Sequence, residues 1–115
     1  MEITGLIEKC HKNALEKGWW DEVVDGKVIP RSLGDQFANF HSELSEAWEE
    51  VRAGHAMDEF YFNEGKPEGV PVELADCLIR IFDTCGRYGI DLEFAIELKM
   101  AYNRTRPYRH GGKTA

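Results

Sequence analysis

The chain of 115 residues carries 14 basic and 21 acidic side chains, a net charge of −7. That is length for one domain with a core, and too acidic a balance for sequence-independent contact with nucleic acid. Cys10, Cys77 and Cys85 are odd in number and lack CxxC spacing, so neither a disulfide framework nor a zinc site is expected, and a reducing cytoplasm fits. No charged-then-apolar leader opens the chain and no apolar run nears the roughly 18 residues of a bilayer span, so neither secretion nor a membrane is expected.

Ile3, Leu6, Ile7, Cys10, Ala14 and Leu15 recur at intervals of three and four, predicting an amphipathic helix over residues 2–17 that stops at Gly18. Asp25-Gly26 between β-branched residues signals a short hairpin, closed by Pro30. Ser32 is placed to cap a second helix running to about Arg52, with Phe37, Phe40, Leu44, Ala47, Trp48 and Val51 on one face. Glu43, Glu46 and Glu50 form a strip along the edge of that face. Residues 55–70 hold Gly65, Pro67 and Gly69, show no periodicity and read as a long loop.

Pro71 suits the first turn of a third helix that continues to Cys85, before Gly86 to Gly89 breaks it. Apolar residues cover more than half its circumference, as in the central helix of a bundle or one buried in an oligomer. Its charged residues, Glu73, Asp76, Arg80 and Asp83, fall within roughly 80° of arc. Asp91 caps a fourth helix to about Thr105, ended by Pro107, with Lys99, Asn103 and Arg106 on one face. The expected fold is an all-α bundle of about four helices, its first two joined by a hairpin-like connection.

Two carboxylate pairs carry the chemistry. Glu43 with Glu46, and Glu73 with Asp76, are each three apart and so share a helix face. The first pair alone also suits a solvated helix edge. The second lies in a helix too apolar for a wide wet face and needs a compensating charge, which is either a cation shared with the first pair or Arg80 at i+4 of Asp76. All-oxygen ligands favour Mg²⁺ or Mn²⁺ over Zn²⁺. After Glu97 there are no acids, while Lys99, Arg104, Arg106, Arg109 and Lys113 are basic. A cation site with a basic tail suits a metal-complexed polyphosphate, with residues 108–113 as a clamp, although Lys99, Asn103 and Arg106 equally suit a polar face near a helix C-terminus. His41, beside the first pair, is a candidate for hydrogen bonding to a base. Trp48 reads first as core and second as a stacking residue, and Trp19, Trp20, Phe60, Tyr61 and Phe62 allow packing or pocket-lining roles.

Glu43-Leu44-Ser45-Glu46 followed by Glu73-Leu74-Ala75-Asp76 resembles the ExxE…ExxD signature of the MazG-like all-α nucleoside triphosphate pyrophosphohydrolases. HSELSEAWEEVRAG, KPEGVPVELADCLIRIFD and KMAYNRTRPYRHGGK are similar to the small stand-alone bacterial and phage members, so the resemblance covers most of the chain. It implies that Glu43, Glu46, Glu73 and Asp76 hold Mg²⁺ and are the catalytic acids, and that Lys99, Asn103 and Arg106 contact the triphosphate. It further implies attack of water on the α-phosphorus, oriented by Glu46, and a homodimer or homotetramer that completes a four-helix core. Many members carry an additional acid where Ser42 stands, a place that Asp83 or Glu50 is positioned to fill, and the stretch over residues 55–70 is longer than the usual connection.

Two other classes compete. A di-iron carboxylate bundle needs two ExxH motifs. Glu8 to His11 supplies one, but the residues three before His41, His55 and His110 are Ala38, Arg52 and Pro107. A non-catalytic helical module binding a nucleotide or a protein partner requires only an acidic surface.

Overall fold

Helix boundaries follow local capping chemistry. The computed structural model describes residues 2–109, apart from the side chains of residues 22, 24 and 28–30; the end of the expected tail clamp lies outside the described residues. α1 (Ile3–Glu16) ends before Gly18, whose positive φ of 73° turns the chain toward a two-stranded antiparallel hairpin. In that hairpin, β1 (Asp21–Val24) and β2 (Lys27–Pro30) pair Val23 with Val28 around Asp25-Gly26, both at positive φ as a tight hairpin turn requires. α2 (Leu33–Arg52) starts where the Ser32 hydroxyl accepts a hydrogen bond from the Asp35 backbone N–H at 3.1 Å.

Within residues 55–70, read as loop, the structure forms a second hairpin, β3 (Tyr61–Asn63) and β4 (Lys66–Glu68), around Glu64-Gly65. Three-residue strands are too short to show alternation, and one carries Pro67, which usually argues against a strand. α2 holds this hairpin: the Tyr61 hydroxyl donates to Glu50 at 2.8 Å, and His55 stacks on Tyr61 with centroids 4.6 Å apart. Gly69, at φ 123°, then passes so close to the Glu59 carbonyl that a Cβ would overlap it.

α3 (Val70–Tyr88) has Pro71 in its first turn and is closed by Gly89 in the left-handed conformation. It runs through Gly86, where a break was expected. A Cβ at Gly86 would come within 2.5 Å of the His11 Cβ, so this glycine admits a close approach of α1 and does not stop the helix. α4 (Leu92–Thr105) is capped by Asp91, whose carboxylate accepts from the Phe94 N–H at 3.1 Å.

The described residues thus form an all-α bundle of four helices with two small hairpins. α3 is its centre, packed by both α1 and α2, while α4 packs on α1. Ile7, Phe82 and Cys85 form the core, flanked by Ile3, Cys10, Ile81 and Leu92. Beside it one oxygen of Asp83 accepts from the Trp20 indole N–H at 2.8 Å and meets His11 Nδ1 at 2.9 Å. The apolar stripe of α2 is only half covered: Ala47 is buried, but Phe37, Leu44 and Trp48 are 56%, 53% and 59% exposed. Trp48 is therefore not core within one chain, because α2 has α3 on one side and no described helix on the other. The radius of gyration, 17.3 Å, exceeds the roughly 13 Å expected for a close-packed domain of this length. No described helix is long and apolar enough to cross a membrane.

Candidate functional site

Packing of α2 on α3 brings three of the four motif acids together. Glu43, Glu73 and Asp76 each place a carboxylate oxygen within 4.8 Å of the others. Burial raises the pKa of Glu73, and the negative charges of Asp76, Glu43, Glu46 and Glu50 raise it further. Asp76 is likewise raised, by burial first and Glu43 second, while Arg80 and Lys66 pull it back. Both directions report carboxyls drawn out of water first and set near other anions second.

Glu46, one turn beyond Glu43, is exposed and lies outside the converging set, although its charge is felt at Glu73. Arg80 pairs with Glu43, its Nε donating to one carboxylate oxygen at 2.7 Å, and not with Asp76 as the i, i+4 spacing suggests. The Arg80 guanidinium also lies 5.4 Å from the Trp19 ring centroid. Asp83 and Glu50 are not among the converging acids: one oxygen of Asp83 is engaged by Trp20 and His11, and both oxygens of Glu50 accept from Tyr61.

The residues expected to hold phosphates stand elsewhere. Lys99 and Arg106 both lie near Tyr102, 4.9 and 5.8 Å from its ring centroid. Among the described residues no hydrogen bond or ion pair joins Lys99, Asn103 or Arg106 to the acids, and the cations felt at Asp76 are Arg80 and Lys66. His41 and Trp48 are exposed on α2.

A cavity of about 200 Å³ opens beside the acids, with Asp76 and Arg80 in its wall together with Asn13, Trp19, Arg31 and Gln36. Of these, Trp19 is recognisable from sequence by residue type as a pocket-lining candidate, whereas Asn13, Arg31 and Gln36 are not. A signal for Gln36 existed: it precedes Phe40 by four and Glu43 by seven, so it continues the line of the motif acid along α2.

The donor set fits a small divalent cation. It is all oxygen, as Mg²⁺ or Mn²⁺ prefers, and ligands across an octahedral Mg²⁺ stand about 4.2 Å apart, close to the spread of the three carboxylates. Compared with models of known families, with curated proteins and with solved structures, the chain matches none.

Proposed function

We propose that the protein hydrolyses nucleoside triphosphates, canonical or deoxy, to nucleoside monophosphate and pyrophosphate with Mg²⁺, or Mn²⁺ in its place, and serves control of the nucleotide pool. The observation that supports this most is the convergence of Glu43, Glu73 and Asp76 from two separated motifs at the edge of a cavity. Carboxylates this near repel one another, the more so when partly buried, and a bound cation would relieve that repulsion.

Glu43, Glu73 and Asp76 would hold the ion. When bound, it would polarise phosphate oxygens and make water more acidic. Arg80, whose Nε donates to one oxygen of Glu43, would steady that carboxylate. Glu46, exposed one turn away, would accept a proton from or orient the attacking water. Lys99, Asn103 and Arg106 would bind the triphosphate, and as they are not joined to the acids within one chain, a second copy is the natural source. The exposed apolar residues of α2 and the large radius of gyration support a homodimer or homotetramer.

The test is a panel of nucleoside triphosphates incubated with Mg²⁺ and resolved by product. Release of pyrophosphate and monophosphate that stops with EDTA is expected. Orthophosphate release would mean attack at another phosphorus and contradict the pyrophosphohydrolase, and no turnover of any triphosphate would leave a non-catalytic binding module as the better reading.

A further inference from the structure

The cavity beside the acids has a chemistry of its own. Its charges offset one another, Arg31 and Arg80 against Asp76 and Asp83, so neither a free anion nor a free cation is its natural occupant. Two neutral carboxamides remain, Asn13 and Gln36, with apolar wall from Trp19 and Ile79. Gln36 is only 5% exposed, and its Nε2 has no hydrogen-bond partner. Buried amide donors are almost always paired with protein or water, so one without a protein partner in a cavity wall leaves a donor that a ligand's acceptor can take in place of solvent.

Size and chemistry narrow that ligand. At about 200 Å³ the space is smaller than the roughly 300–1,000 Å³ that holds a drug-sized molecule, and it suits one heterocycle more than a whole nucleotide. A carboxamide carries both donors and acceptors, and so does the hydrogen-bonding edge of a nucleobase. Asp76 belongs both to this wall and to the acid cluster, so a ring in the cavity would direct what it carries toward the carboxylates.

We infer that this cavity is a base-recognition pocket in which the Gln36 amide donates to an acceptor on the ring, Asn13 reads a second position and Trp19 supplies an apolar wall. The choice of a nucleobase rests on the triphosphate reading above. Glu43, Glu73 and Asp76 then act on the phosphates while Gln36 and Asn13 set which base is accepted.

The experiment titrates free ribo- and deoxyribonucleosides of each base, in EDTA, into the whole protein and its Gln36→Leu and Asn13→Ala variants, read by tryptophan fluorescence and calorimetry. Leucine nearly preserves the buried volume at position 36, and Asn13 is exposed on α1, so the second variant stays informative should the first fold poorly. At least one nucleoside is expected to bind the wild type without metal, with ribose 5-phosphate failing to compete. Gln36→Leu should weaken it by about tenfold or more, and Asn13→Ala by a few-fold. The same variants should narrow the spread of kcat/KM among triphosphates. Absence of nucleoside binding by the wild type, or equal binding by all three proteins, overturns the pocket. Turnover whose base preference ignores both substitutions also overturns it, while leaving the hydrolase reading intact. Nucleoside binding that depends on Gln36 without turnover of any triphosphate supports the pocket and removes the hydrolase.

Discussion

Replacing Glu73 by Gln removes one of three converging charges while keeping the shape of the side chain. At a separation of no more than 4.8 Å, two like charges repel by roughly 0.9 kcal/mol in water and roughly 3.5 kcal/mol at an effective dielectric of 20. Glu73 is half-buried and Arg80 neutralises part of the charge on Glu43, so the metal-free variant should gain about 1–2 kcal/mol, or about 4–8 °C in Tm. Divalent cation should reverse the order. Binding at a hundred times Kd adds about 2.7 kcal/mol to the wild type, more than the variant's metal-free gain, and the variant, short of one ligand, should gain much less. Turnover should fall by roughly a hundredfold or more. The assay is thermal unfolding of both proteins in EDTA and in Mg²⁺ or Mn²⁺, beside pyrophosphate release. A lower Tm of the variant in EDTA, or the same cation-induced gain in both, would refute the reasoning.

Three further outcomes are expected. Because Glu73 and Asp76 titrate above their ordinary values in the fold, the folded chain holds more protons than the unfolded one just above pH 4; metal-free stability should therefore fall as pH rises through that window. The stabilisation by Mg²⁺ should grow over the same window, and a metal effect equally large at pH 3 would contradict this. Gly69→Ala should destabilise by about 1–3 kcal/mol in urea unfolding, since the added Cβ meets the Glu59 carbonyl and φ is positive; a neutral result would mean that the β3–β4 hairpin is not seated as described. Asp83→Ala should cost about 1–3 kcal/mol by leaving the buried Trp20 N–H unpaired, and an unchanged unfolding midpoint would show that this bond is replaced by water.

How much of this was legible in the chain depends on the range of each signal. Ser32, Asp91 and Pro71 act on their own neighbours, and the helix starts they mark are those of the structure. Gly86 has the same local signature as a stop, yet its reason is His11 on another helix, which local pattern cannot register. The β3–β4 hairpin escaped because its strands are three residues long and its seat is a contact between Tyr61 and Glu50. The convergence of Glu43 with Glu73 and Asp76 was readable, since spacing put each pair on one face and apolar neighbours forced the two helices together. Arg80 went to Glu43 instead of Asp76 because α2 offered a nearer carboxylate than its own helix did, a choice only the packed structure reveals. Gln36 and Asn13 look like ordinary surface amides in sequence, and only burial and the missing partner single out Gln36.

The central claim is water attack on the α-phosphorus with the motif acids in charge of it. Turnover of the preferred triphosphate in water enriched in the heavy oxygen isotope, with products weighed by mass spectrometry, tests that claim most directly. The label should appear in the nucleoside monophosphate and not in pyrophosphate, with turnover strongly reduced in Glu73→Gln. Label in pyrophosphate or in orthophosphate, or undiminished turnover by that variant, would contradict it.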